Sequence, residues 1–437
     1  MLETLQLAAI YGLPFVVVLA FYLSRRRGRS NRAQNTFKEA EEAGLTEPAT
    51  LHPEINLALC CGAGACVKAC PEKTVIGVVN GKAKLVDPTA CIGHGACAAA
   101  CPTQAITLVF GTATRGVELP QIKPNFETNV PGLFIAGELG GMGLIRNAIT
   151  QGRQAMDSIG EHLKGPHSLD ALDVLIVGAG PAGFSAALSA KEKGLNYKVI
   201  EQDSFGGTVS HFPRGKLVMT QPAELAIVGK VKFSEVSKEE LLGFWDKVRE
   251  EQGLDIDYGR GLTSLTPLAG GGFKAVAGDA TYEARAVLLA IGRRGTPRKL
   301  GIPGEERSSV VYRMVDPAQY KGQNVIVVGG GDSALEAAAT IAEETDATVT
   351  LAYRGASFPR AKKKNRARVD AAKEAGRLNL LLNSNLTEIG DTSSRVDKDG
   401  EEIEVASDAI IVCAGGVLPN KMLSEVGIET VTKYGEV

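Results

Sequence analysis

Two glycine turns, each set between an apolar run and a helix-like run, constrain this chain more than any other feature. DVLIVG (173–178) opens into GAGPAG (178–183), and NVIVVG (324–329) opens into GGGDSA (329–334). An unbroken apolar run of that length suits a strand covered on both faces, as in a parallel sheet flanked by helices. In the first unit Gly178, Gly180 and Gly183, with Pro181 and Ala182 between them, permit a tight turn. The same turn lets a pyrophosphate approach a helix amino terminus. Glu201 closes the next strand (YKVIEQ) 23 residues after Gly178, the distance at which a carboxylate grips an adenosine ribose. In the second unit Gly329, Gly331 and Ala334 hold the corresponding places, with Asp332 and Ser333 between them. At its matching strand end, 24 residues after Gly329, stands Tyr353-Arg354 with no acid. A carboxylate there selects ribose hydroxyls and repels a 2′-phosphate, whereas arginine does the reverse. Arg354 and Arg360 are the candidate 2′-phosphate ligands, which favours NADPH over NADH; the run 360–368 also reads as a solvated basic face.

Seven of the eight cysteines crowd into residues 60–101, in CCGAGACVKACP and CIGHGACAAACP. Such clustering suits metal in a reducing compartment rather than a disulfide framework. Two-cluster ferredoxins carry C-x2-C-x2-C-x3-C-P, with the fourth cysteine serving the other cluster. Aligned on the final Cys-Pro, the first run gives Cys60, Ala63, Cys66 and Cys70, and the second Cys91, His94, Cys97 and Cys101. Each lacks the usual second cysteine. Exchange of the fourth ligand assigns Cys60, Cys66 and Cys101 to a first cluster, with Cys61 as its candidate fourth ligand. It assigns Cys91, His94, Cys97 and Cys70 to a second. If Cys61 reaches, both sites suit [4Fe-4S]; if not, the first suits [3Fe-4S]. An imidazole ligand removes negative charge and raises a cluster's potential. Zinc competes for a Cys3His set, and a clusterless fold is the third reading. Cys413, alone in the apolar run AIIVCAGG, reads as a core residue.

At 437 residues the chain has room for two to four domains, and a net charge of −2 gives no general attraction for nucleic acid. Residues 5–23 are nearly all apolar and are followed by Arg25, Arg26, Arg27 and Arg29. Nineteen helical residues span roughly 28 Å, close to a hydrocarbon core of about 30 Å. The arginines follow the apolar run with no cleavage site, so the segment reads as a retained single-pass anchor in the cytoplasmic membrane rather than a signal peptide. The remaining domains would then face the cytoplasm.

The first glycine unit and LLAIGRRGTPRKLGIPGE (288–305), with Gly292, resemble the FAD domain and crossing strand of thioredoxin-reductase-like flavoproteins. GGGDSA resembles their NAD(P) turn. TNVPGLFIAGELGGMG, followed by NAITQGRQAMDSIG, resembles their last FAD-contacting segment, in which Gly137-Glu138 would touch the flavin's ribityl chain. Glu138 stands where that family usually carries Asp. In the family this segment lies at the carboxyl end, whereas here it precedes the first Rossmann turn. The resemblance therefore implies a circular permutation. No C-x-x-C precedes GGGDSA, where this chain has YRMVDPAQYKG, and FGGTVSHFP (205–213) holds no cysteine pair. In that respect the chain is similar to bacillithiol-disulfide reductases and thioredoxin-reductase-type ferredoxin–NADP reductases. A homodimer is the habit the resemblance implies.

The expected organisation is an anchor (1–24), a linker (25–52), an α+β ferredoxin-like domain (53–110) and a permuted FAD segment (111–165). An FAD domain (166–297), an NAD(P) domain (298–410) and a return to the FAD domain (411–437) follow. The expected fold is α/β, with two Rossmann-like domains, the small ferredoxin-like domain and one transmembrane helix. The function that joins both motif types is conversion of hydride to single electrons: NAD(P)H to FAD to clusters, then to a quinone-linked or cytochrome acceptor in the bilayer, or to ferredoxin. A low-molecular-weight disulfide reductase with a structural cysteine domain is one rival reading. A non-enzymatic redox-sensing or assembly subunit is the other.

Overall fold

The computed structural model describes residues 2–42, 45–48, 51–164, 171–212, 214–219, 222–231, 236–293, 295–359, 361–417 and 419–436. The chain forms two compact units, residues 1–116 with 434–437, and residues 117–433.

In the smaller unit, the strand His52–Ile55 pairs antiparallel with Ile106–Val109 and closes the cysteine region at both ends. Between them lie two short helices, Ala65–Ala69 and Ala96–Ala99, each following a left-handed glycine, Gly64 and Gly95. The strands Ile76–Val79 and Lys82–Leu85 form a hairpin. Its turn is Asn80-Gly81, with φ of 50° and 79°, the positive pair that a two-residue hairpin turn requires. Cys60, Cys66, Cys70, Cys91 and Cys97 are buried among Val75, Ile76, Ala83, Ala105 and Ile106, so the core of this unit is built around sulfur.

A helix, Leu2–Glu42, runs through both the expected anchor and the expected linker. Its second half docks on the hairpin: the Asn80 N–H donates to Ser30 Oγ at 3.3 Å and the Lys84 ammonium sits 3.2 Å from the Phe37 ring centroid. The transmembrane expectation is not supported: among the described residues no helix is long and apolar enough to cross a membrane. The side chains of residues 1–10 and 13 lie outside the described residues, and after Glu3 the next charged residue is Arg25. Residues 11–23 form an apolar stretch of this helix. Phe15, Val16, Val17, Val18, Phe21 and Tyr22 on it are exposed.

The larger unit holds two main sheets. The first follows the order Ile256–Asp257, Tyr197–Ile200, Leu172–Val177, Ala280–Leu289, Phe273–Ala277, Leu262–Pro267. Its strand Leu133–Ile135 lies parallel to the end of Ala280–Leu289, pairing Leu133 with Val287 and Ile135 with Leu289. The helix Ile145–His162 buries Ala148, Ile149, Gly152, Ala155, Met156 and Ile159, a spacing that forms one face at 3.6 residues per turn. That face meets the helix Pro181–Glu192, which is buried from Ala182 to Ala190. The segment before the first Rossmann turn is thus part of the sheet and helix layer that follows it. The second sheet is all parallel, in the order Val310–Val311, Ala409–Val412, Asn324–Val328, Thr348–Ala352, Leu378–Leu381. Ala409–Val412 pairs with Asn324–Val328, so the expected domain change at 411 falls inside a strand of the second sheet. Thr430–Lys433 pairs with Val117–Pro120, whereas the backbone N–H of Phe110 donates to the Glu436 carbonyl within the smaller unit.

Candidate functional site

The first glycine turn follows Leu172–Val177 and opens Pro181–Glu192, with Pro181 at the first helical position, where a missing N–H costs nothing. Two of its glycines leave no room for a side chain: a methyl at Gly183 would lie 1.8 Å from the Gly178 carbonyl oxygen, and one at Gly178 would lie 2.6 Å from the Ala290 carbonyl oxygen. Glu201 is buried, and its two oxygens accept the N–H groups of Ala179 at 2.7 Å and Asp203 at 2.9 Å. A carboxylate has about four lone-pair sites, so acceptor capacity remains for ribose hydroxyls. Gly137, at φ 86° and ψ −154°, donates its N–H to Gln151 Oε1 at 2.8 Å. A methyl there would lie 3.1 Å from Ala182 Cβ, so Gly137-Glu138 abuts the turn.

Gly137, Glu138, Gly178, Gly180, Pro181, Ala182, Glu201 and Gly292 line one open cavity of about 1950 Å³. Sequence reasoning missed three polar residues on the same wall, Asp203, His211 and Arg313. His211 Nε2 lies 3.1 Å from Asp203 Oδ2, and the Arg313 guanidinium 3.4 Å from the same oxygen. The signal for His211 was present in FGGTVSHFP, in a chain with five histidines. Arg313, by contrast, reaches Asp203 from 110 residues away.

The second glycine turn leads from Asn324–Val328 into Asp332–Glu344. Ala334 is fully buried, and a methyl at Gly329 would lie 2.5 Å from the Cys413 carbonyl oxygen. Gly331 faces open space, and Ser333 is exposed. Asp332 Oδ1 accepts the Lys362 N–H at 2.8 Å and the Asn365 amide at 2.9 Å, fixing the basic segment to the start of this helix. Tyr353 packs over Gly330 and stacks on Phe358 at 5.4 Å. Arg354 is exposed at the strand end, and Arg360 lies outside the described residues. Cys413 is half-buried against the second sheet's core.

The cysteine runs meet as two cavities. Cys60, Cys61, Cys66 and Cys101 line one of about 310 Å³. Cys70, Cys91, His94 and Cys97 line another of about 330 Å³. Cys70 and Cys101 are thus exchanged between the runs, and exposed Cys61 joins the first cavity. Among the described residues no group of three or more His, Cys, Asp or Glu stands close enough together to hold a metal ion. Burial pushes the thiols of Cys66, Cys70 and Cys91 up, and that of Cys97 to about 11. At Cys101 burial is outweighed by the Thr103 hydroxyl and the N–H groups of Ala105, Thr103 and Gln104, which hold its thiol low. Ligation of the buried thiols therefore releases protons.

Two dinucleotide cradles, each following a strand with parallel neighbours, define a two-lobed FAD and NAD(P) oxidoreductase of the thioredoxin-reductase type, here joined to a cysteine-lined cluster domain. Residues 175–435 match the pyridine nucleotide-disulphide oxidoreductase family, and residues 52–102 match the 4Fe-4S dicluster domain. The chain belongs to the pyridine nucleotide-disulphide oxidoreductase family, which is enzymatic. It is 32% identical over 248 residues to a ferredoxin–NADP reductase of Ignicoccus hospitalis, covering 56% of this chain and 76% of that protein. It is 30% identical over 259 residues to a thioredoxin reductase of Mycolicibacterium smegmatis, covering 56% and 75%. The bacillithiol disulfide reductase of Staphylococcus aureus shares the fold, with a TM-score of 0.51 at 23% identity over 60% of this chain and 81% of that one.

Proposed function

We propose that this protein passes electrons from NADPH, through FAD, to two iron–sulfur clusters and on to a one-electron acceptor. The observation that carries this reading is the pair of cavities in which Cys70 and Cys101 are exchanged, in one chain with two dinucleotide cradles. When bound, the flavin accepts a hydride and releases electrons singly, chemistry the cofactor itself supplies. The chain's part is to position. Gly178, Gly180 and Gly183 give a pyrophosphate access to a helix amino terminus, and Glu201 offers its remaining lone pairs to a ribose. Gly137-Glu138 flank the turn, and Arg354 supports NADPH over NADH. Both cavities suit [4Fe-4S], with Cys61 completing the first set and His94 the second.

A ferredoxin-type acceptor follows from the naming of the relatives. A membrane acceptor, and a location at the cytoplasmic face of a membrane, rest on the exposed apolar residues 15–22 followed by arginines. The order of segments supports a circular permutation, and a homodimer is the family habit; light scattering of the full chain tests the second. The central test is anaerobic purification followed by EPR before and after NADPH. New iron–sulfur signals, with loss of oxidised flavin, are the expected result. Reduced flavin with silent clusters, or NADPH oxidation by a thiol disulfide that survives replacement of Cys66 and Cys97, would refute it.

A further inference from the structure

The two cavities differ in the charged group beside their sulfurs. In the first, the Ala83 N–H donates to Cys60 Sγ at 3.3 Å and the Ala105 N–H donates to Cys101 Sγ at 3.3 Å. The Lys82 ammonium donates to the Cys60 carbonyl at 2.7 Å. In the second, Cys70 Sγ lies 3.2 Å from the Glu72 oxygen and Cys91 Sγ 3.9 Å from the Leu51 oxygen, while backbone hydrogen bonds at Gly93 and Ala98 favour the thiolates of Cys91 and Cys97. A thiol donates to such an oxygen; a ligating thiolate has no proton to give and is repelled by it.

We propose that Lys82 sets the potential of the first cluster. Hydrogen bonds to cluster sulfurs and nearby positive charge stabilise the more negative, reduced state and raise the potential. Backbone hydrogen bonds act in that sense at both sites, at Cys91 and Cys97 as well as at Cys60 and Cys101, whereas the Lys82 ammonium lies beside a ligand of the first alone. The step involved adds one electron, derived from the reduced nicotinamide, to the first cluster; no bond is made or broken.

The hairpin that carries Lys82 is fixed on the first cavity. A methyl at Gly62 would lie 1.9 Å from the Gly81 carbonyl oxygen, so the Asn80-Gly81 turn rests directly on the loop after Cys61. Lys82 itself is exposed, so its replacement leaves the sulfur-lined core intact. Its field is partly screened, and its effect shrinks as ionic strength rises.

This inference rests on the iron–sulfur reading above. The test is an EPR-monitored redox titration of the full holoprotein and of Lys82→Arg, Lys82→Met and Lys82→Glu, at matched iron and sulfide content. The first-cluster signal is the one lost in Cys66→Ala. In Lys82→Met its reduction equilibrium constant should fall about tenfold, a downward shift of about 59 mV for one electron. Lys82→Glu should fall further, Lys82→Arg should stay near the wild type, and the other cluster should not move. Equal movement of both clusters, or of neither, overturns the proposal while leaving the iron–sulfur reading standing. A wild-type protein without cluster signals, iron or sulfide overturns both.

Discussion

Gly152→Ala tests the docking of the segment before the first Rossmann turn, because two effects of opposite sign compete at that position. Gly152 lies inside the helix Ile145–His162, where alanine is favoured over glycine by about 1 kcal/mol. The added methyl, however, would lie 2.1 Å from the Ala182 carbonyl oxygen and 3.0 Å from its carbonyl carbon. Ordinary carbon–oxygen contacts begin near about 3.3 Å, so one helix must move by about 1 Å against the other. The obstacle is backbone and cannot rotate away, which places the cost near the upper end of the 1–3 kcal/mol range for overpacking, about 3 kcal/mol. The net expectation is a loss of about 2 kcal/mol, roughly thirtyfold in the folding equilibrium. Gly160→Ala, on the same helix, is the control: its methyl meets only Lys193 Cδ at 3.7 Å, ordinary contact, so it should gain up to about 1 kcal/mol. Urea unfolding followed by flavin release reads both variants, and since Ala182 belongs to the glycine turn, Gly152→Ala should also hold FAD more weakly. If the two variants stabilise the protein alike, the packing of this helix on Pro181–Glu192 is refuted.

The other predictions concern separate parts of the chain. Gly62→Ala combines a φ of 70° with a methyl 1.9 Å from the Gly81 carbonyl oxygen, and should cost the first cluster alone, so iron content should drop by about half with one EPR signal retained. Arg354→Glu should raise the KM for NADPH about tenfold and leave that for NADH unchanged or lower; equal effects on both would remove Arg354 from the 2′-phosphate site. Glu305 is buried; burial raises its carboxyl, but the N–H groups of Leu300 at 2.6 Å and Gly301 at 2.7 Å and the Tyr312 hydroxyl at 2.9 Å outweigh that and hold it low. Glu305→Gln should therefore cost about 1–3 kcal/mol at neutral pH. A depressed folded value means that this stabilisation is present above the unfolded value of about 4.3 and lost as pH falls through the folded one. The gap between wild type and Glu305→Gln in urea midpoint should narrow on acidification; a constant gap would exclude the charge as its cause.

Much of the site was legible because local chemistry wrote it. Gly183 has to be glycine, since a methyl there would meet the carbonyl of Gly178, five residues earlier in its own turn. Asn80-Gly81 specifies its own hairpin. The cysteine spacing, combined with the ferredoxin exchange of fourth ligands, anticipated which sulfurs would share a cavity. The apolar residues 11–23 suggested a spanning helix that the described residues do not support, and hydropathy alone could not report that the same helix continues onto the hairpin. The domain change expected at 411 cuts the strand Ala409–Val412 in two, since a short apolar strand carries no mark of its sheet. Arg313 was missed for the reason that contact between residues 203 and 313 leaves no local spacing to detect, whereas His211 stood in a segment read only for cysteines.

The sequence by itself determined the two strand–turn–helix cradles, the grouping of the cysteines and the lack of a dithiol in either place where the resemblance would put one. Each depends on residues close together in the chain, where backbone geometry and residue type suffice. Only the tertiary structure decided which backbone groups meet each sulfur, where Lys82 reaches, and that Leu133–Ile135 enters the sheet beside Ala280–Leu289. Those relations join residues that are distant in the chain, and their partners are fixed by packing rather than by spacing.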